Sequence, residues 1–279
     1  MHTVLDKETT KINLISIRMI DFNFPMGIQI AGTTILWHSL LELMATCIAF
    51  RYYLMLRKKQ GDSVEDINRL VALIGATSGA IVGSHLLGAA ENIPQWMASS
   101  NKLLYFWFNK TLAGGLIGGL IGVELFKKIV GEKQSTGDIY VYPLLLGIII
   151  GRIGCFSAGV YEETYGLPSS LPWAMNLGDN IMRHPVALYE IVYLIGIWII
   201  LKQVQKTYTL QSGGLFKLFM IAYFVFRFAL DFIKPGWRYA FGLGSIQLAS
   251  LLTIFYYAPY IVQPKRLLAS HPSTSKQTT

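Results

Sequence analysis

Leu144-Leu145-Leu146-Gly147-Ile148-Ile149-Ile150-Gly151-Arg152-Ile153-Gly154-Cys155-Phe156 encloses one arginine among apolar and small residues. A guanidinium keeps its charge at any workable pH, so inside such a run it must meet an anion, carbonyls or water. Holding it at the centre of a membrane helix costs at least about 2.5 kcal/mol, and such residues tend to mark functional paths. Arg227 repeats the situation in Ala222-Tyr223-Phe224-Val225-Phe226-Arg227-Phe228. Two fixed cations in apolar surroundings point to an intramembrane pocket for an anion, with phospholipid phosphate the first candidate.

The composition agrees with a membrane protein. Of the 279 residues 53% are hydrophobic and only 14% charged, where soluble domains carry roughly 25% charged residues. The net charge of +8 sits mostly at the ends of apolar runs, which favours anionic lipid headgroups over nucleic acid as partners. Cys47 and Cys155 both fall within apolar runs and suggest packing rather than a disulfide or a metal site. No secretory leader is apparent in the first 25 residues, so the first membrane helix is expected to direct insertion.

Seven runs approach the roughly 20 residues that a span requires, near 30–56, 70–90, 111–131, 139–160, 185–203, 213–233 and 243–262. The predicted fold is an all-α, polytopic membrane helix bundle of about seven transmembrane helices. Residues 1–29 would form an extracytoplasmic segment, 30–262 the membrane domain and 263–279 a polar cytoplasmic tail. With the N-terminus outside, the inner connections hold twelve Lys and Arg residues and the outer ones eight, in accord with the positive-inside rule. The aromatic-rich stretch 91–110 reads as a piece lying in the headgroup layer, either as an anchor or beside substrate.

In the third run, glycines at 114, 118 and 122, and at 115 and 119, strip a helical face of side chains. This suits close helix packing, or a groove that a lipid or peptide backbone can enter. Arg227 and Asp231 stand four apart on one helical face and can pair. Glu190 lies about a turn inside the fifth helix, which Pro185 is suited to start. Arg152 has no acid near it on its own helix. His38, His85 and His184 have no metal-site spacing, and neither a metal nor a cofactor is expected.

In order along the chain, Gly151-Arg152-Ile153-Gly154-Cys155-Phe156, Pro172-Trp173-Ala174-Met175 and Arg183-His184-Pro185-Val186-Ala187-Leu188-Tyr189-Glu190 resemble the bacterial prolipoprotein diacylglyceryl transferase family. Gly114-Gly115, Arg227 with Asp231, and Gly244-Ser245-Ile246-Gln247-Leu248 support the likeness. The resemblance implies a multi-pass protein of the bacterial cytoplasmic (inner) membrane. It also implies a reaction, transfer of the diacylglyceryl group of phosphatidylglycerol to the lipobox cysteine thiol of a prolipoprotein, with donor and acceptor open to change. By the same resemblance Arg152 and Arg227 are the catalytic cations. They would bind the donor phosphate and stabilise the departing glycerol phosphate, with Glu190 and Asp231 orienting them. Gly114, Gly115, Gly154, His184 and His38 join those two acids as expected substrate-binding residues.

The chain also departs from the family pattern. The family's His-Gly-Gly is Ala113-Gly114-Gly115, which removes an imidazole proposed as the base. Cys155 replaces an Asn, Ala158-Gly159-Val160 an Asn-Gly-Glu, His38 a first-helix Tyr and Ile81 an Arg. An active transferase is therefore weighed against a non-catalytic paralogue that binds lipid or lipobox peptide. Convergence of Arg152 and Arg227 on one cavity, lined by Gly114 and Gly115, is the structural expectation. An imidazole from His38 or His85 facing Arg152 would favour chemistry.

Overall fold

A computed structural model describes residues 23–30, 33–60 and 64–269. Residues 1–22 of the expected N-terminal segment and 270–279 of the tail lie outside the described residues. A hairpin of β1 (Gly27–Ile30) and β2 (Thr33–Leu36) leads into α1 (Trp37–Gln60) and α2 (Asp66–Ala90). Two short helices, α3 (Ile93–Ala98) and α4 (Lys102–Phe108), precede α5 (Leu112–Val130) and α6 (Val141–Ala158). A second hairpin, β3 (Met175–Asn176) with β4 (Met182–Arg183), precedes α7 (Val186–Thr207), α8 (Gly214–Leu230) and α9 (Ser245–Val262).

The protein is an all-α membrane bundle apart from the two hairpins. Among the described residues, α1, α2, α6, α7 and α9 are long and apolar enough to cross a membrane. The remaining two runs also form helices, but α8 has 17 residues and α5 carries Glu124, Lys127 and Lys128. The first expected run is corrected at its start. Residues 33–36 pair with 27–30 in antiparallel register, Gly27 opposite Leu36 and Ile30 opposite Thr33. Helix begins only at Trp37, because the β-branched Thr33-Thr34-Ile35 favours strand geometry.

Local chemistry explains several helix ends. Thr111 Oγ1 accepts the Gly114 N–H at 3.2 Å at the start of α5, and Gly131 closes that helix with φ +72°, a conformation suited to glycine. Asp138 accepts the backbone N–H groups of Gly213 at 2.7 Å and Phe216 at 2.9 Å. It thereby ties the start of α6 to the positive end of α8. Tyr223, Phe219, Phe224, Leu145 and Leu194 fill the core. Leu43, Ile129, Val192, Leu252 and Phe255 are exposed on helix surfaces that face hydrocarbon in a bilayer.

The most extensive helix contact joins α2 to α5. Gly75, Gly79 and Gly83 on α2 oppose Gly122, Gly118 and Gly114 on α5, so closely that a Cβ on any of them would strike the partner backbone. The glycine face is therefore a packing seam of the small-residue type. Gly79→Leu should destabilise the protein by at least about 1–3 kcal/mol through overpacking. Gly115→Ala should be nearly neutral, since its Cβ would meet nothing nearer than Ser84 Cβ at 3.7 Å. Thermal unfolding in detergent reads both variants.

Candidate active site

Three helices bring their charged residues together at the end of the bundle covered by the 159–185 connection. Near its C-terminus α6 carries Arg152, α7 carries Glu190 one turn after Pro185, and α8 carries Tyr223 and Arg227. Glu190 is 1% exposed. Its Oε2 lies 2.8 Å from Arg152 Nε and 3.8 Å from Arg227 Nη1. The Arg152 contact is an ion pair with the N–H not aligned on the oxygen. Tyr223 Oη donates to Glu190 Oε1 at 3.2 Å. On its other side Arg227 reaches Asp231 Oδ1 at 3.7 Å, one turn along.

The two arginines thus converge on one carboxylate oxygen, and the acid that Arg152 lacks on α6 comes from α7. Removing one partner of a buried ion pair typically costs about 3–5 kcal/mol, because it strands the other charge. Glu190→Gln should therefore unfold the protein at a much lower temperature than Asp231→Asn. The Asp231 side chain is 13% exposed, and water can replace part of its contact.

Four residues that sequence reading did not assign to the site complete its rim. Arg238 Nη1 donates to Gln247 Oε1 at 2.8 Å, and its Nη2 donates to the Asp231 carbonyl at 2.9 Å. Gln247 is wholly buried and also accepts the Gly244 N–H at 2.8 Å. Lys234, buried just past α8, interacts with Arg227, Glu91, Asp231 and Arg152. Lys234 and Arg238 read in the sequence only as loop charges. The available signal was their position seven and eleven residues after Arg227, around Pro235-Gly236.

Burial, with the Arg227 guanidinium adding to it, pushes the Lys234 ammonium down to about 8. Burial raises the Glu91 carboxyl beside it, against the pull of Lys234 and Arg227. Lys234 is charged below pH 8 and neutral above it, so affinity for an anion at this rim should fall as pH rises through 8. Lys234→Arg should remove that dependence, and lipid-phosphate binding measured across the range checks it. Folding has the opposite sign: the unfolded lysine titrates near 10.4. The unfolded state binds more protons between about 8 and 10.4, so this group's contribution to stability increases with pH there.

His38, in the first turn of α1, has Nε2 3.5 Å from Glu162 Oε1 and 3.9 Å from Glu42 Oε2. Its ring lies beside the Cys155 thiol, and Cys155 Sγ accepts an N–H from Arg152 Nη1 at 3.4 Å. Gly154 allows this approach, since a Cβ there would come within 3.2 Å of the His38 carbonyl oxygen. His184 follows Arg183 and is engaged by Tyr189. Its Nδ1 is 3.2 Å from Tyr189 Oη, which accepts the Trp173 indole N–H at 2.8 Å. Gly114 and Gly115 face α2 across the packing seam.

Residues 25–262 match the family model for prolipoprotein diacylglyceryl transferase. The chain belongs to the prolipoprotein diacylglyceryl transferase family. A phosphatidylglycerol–prolipoprotein diacylglyceryl transferase of Finegoldia magna is 27% identical over 234 residues, covering 82% of this chain and 90% of that protein. Proteins of the same name from Bordetella avium and Thermotoga maritima are 28% and 26% identical. They cover 75% and 81% of this chain, and 81% and 78% of their own lengths. Within this transferase family pattern, Ala113 is 1% exposed in the hydrophobic core. Ile81 is exposed on α2.

Proposed function

We propose that the protein transfers the diacylglyceryl group of phosphatidylglycerol to the lipobox cysteine thiol of a prolipoprotein. The observation that carries the reading is the pair of guanidinium groups held at one buried carboxylate on a family-matched bundle. Arg152 and Arg227 bind the donor phosphate. They also stabilise the negative charge that grows on it as the glyceryl carbon–oxygen bond breaks. Glu190 and Asp231 orient the two cations, and Lys234 and Arg238 add positive charge at the rim.

The site belongs at the outer leaflet of the bacterial cytoplasmic membrane, in a transferase domain spanning residues 30–262 with seven crossings. The excess of Lys and Arg in the alternate connections supports an outer N-terminus and an inner tail at 263–279. Reporter fusions at residue 279 should accordingly behave as cytoplasmic. An extracytoplasmic signal there would overturn this orientation.

Purified full-length protein in phosphatidylglycerol vesicles should attach a diacylglyceryl group to a synthetic lipobox peptide, read as a mass increase. Arg152→Ala should lower kcat by about 10²- to 10³-fold, the usual effect of losing one donor to a developing anion. Wild-type protein that binds the lipid and peptide without transfer would instead favour a non-catalytic binding role. Ala113→His should fail to accelerate the reaction and should lower stability, since the packed core at Ala113 has no space for an imidazole.

A further inference from the structure

A thiol must lose its proton before its sulfur attacks a saturated carbon, and only a few per cent of an ordinary cysteine is ionised at about pH 7. Three histidines lie among the described residues. His85 Nδ1 is 3.1 Å from the Asn109 carbonyl oxygen, and its ring stacks on Trp107. His184 Nδ1 is engaged by Tyr189 Oη. Of the three, His38 alone has a buried ring nitrogen, Nδ1, without an aligned hydrogen-bond partner, although the Cys155 thiol lies against its ring. Buried polar atoms are seldom left so, and a catalytic role is one of the few explanations.

We propose that His38 is the base that takes the proton of the acceptor thiol, an inference that rests on the transfer reading above. The Glu162 and Glu42 carboxylates both face Nε2. They favour the tautomer with the proton on Nε2, which leaves the Nδ1 lone pair as the acceptor. Glu42 is additionally paired with Lys110 at 2.5 Å, so Glu162, the nearer acid, is the principal orienting group. The Cys155 side chain touches both the ring and the Arg152 guanidinium. Base and phosphate-binding cation are therefore joined through one small side chain, which keeps them near each other for an in-line displacement.

Nδ1 takes the thiol proton, and the thiolate sulfur bonds to the glyceryl carbon that carries the phosphate ester. That carbon's bond to the ester oxygen breaks, and its electron pair leaves on the phosphate beside Arg152 and Arg227. The proton on His38 then passes to the departing phosphate or to water. Cys155 is not the acceptor, because a thioether formed on it would end turnover.

The test compares full-length wild type, His38→Gln and His38→Ala in phosphatidylglycerol vesicles. Each receives a lipobox peptide carrying cysteine and the same peptide carrying selenocysteine, whose selenol ionises at neutral pH unaided. The cysteine peptide should react about 10²- to 10⁴-fold more slowly in both variants. That deficit relative to wild type should shrink as pH approaches the thiol pKa of about 8.5. The selenocysteine peptide should react at close to the wild-type rate. Equal losses with both peptides would assign His38 a structural role and overturn the inference, as would near-wild-type rates with cysteine. A wild type that transfers to neither peptide overturns the transfer reading and this inference together. An active wild type with unaffected variants overturns the inference alone.

Discussion

The Glu190 carboxylate is the point on which the site depends. It is fully enclosed, one of its oxygens faces both Arg152 and Arg227, and the other accepts from Tyr223. In a bilayer the desolvation penalty for any one of these charges would be prohibitive alone. Together they form a neutralising group that exists only when α6, α7 and α8 are assembled in one arrangement. The helices have no hydrophobic driving force to distinguish one register from another within lipid. A charge cluster that tolerates no slippage supplies that specificity.

The α2–α5 seam solves the same problem without charge. Along α2 and α5, facing glycines allow backbone to meet backbone, so close packing replaces the burial energy that water would give a soluble protein. The two devices divide the bundle: a glycine seam sets α2 against α5, while ion pairs set α6 against α7 and α8. Exposed leucine, isoleucine and phenylalanine cover the surfaces between. The proposed chemistry lies where the ion pairs of α6, α7 and α8 bring two buried guanidinium groups to one carboxylate.

Much of this was legible in the chain. Arginine inside apolar runs announced the membrane and a buried charge cluster, and the spacing of Arg227 and Asp231 announced their pairing. The partner of Arg152 was harder to read, since Glu190 is 38 residues away and only packing of α6 on α7 brings it near. The glycines of α5 suited close packing and were also compatible with a groove, until α2 was seen to supply matching glycines. Residues 33–36 were hidden by apolarity, because a short β-branched hairpin and a helix start share the same hydrophobic signal. Lys234 and Arg238 were concealed by their loop. A charge beyond a helix end looks like a topology marker until the chain folds it back over the site.

The proposed reaction requires paired arginines to receive a phosphate, and the distances are compatible with that. Both carboxylate contacts of Arg227 are 3.7–3.8 Å, beyond the length of a good hydrogen bond. The acids hold that guanidinium electrostatically while its N–H groups are left without a close carboxylate oxygen. Arg152 spends one contact at 2.8 Å on Glu190 and one on the Cys155 sulfur, out of five donors available to a guanidinium. An arriving phosphate therefore need not break a strong pair to gain its own hydrogen bonds. It meets four cations, Arg152, Arg227, Lys234 and Arg238, against three carboxylates, Glu190, Asp231 and Glu91. Lys234 adds its charge to this cluster only while it is protonated. Opposed charges let the cluster persist in a membrane while its guanidinium N–H groups stay open to the proposed phosphodiester, and both properties come from the same few side chains.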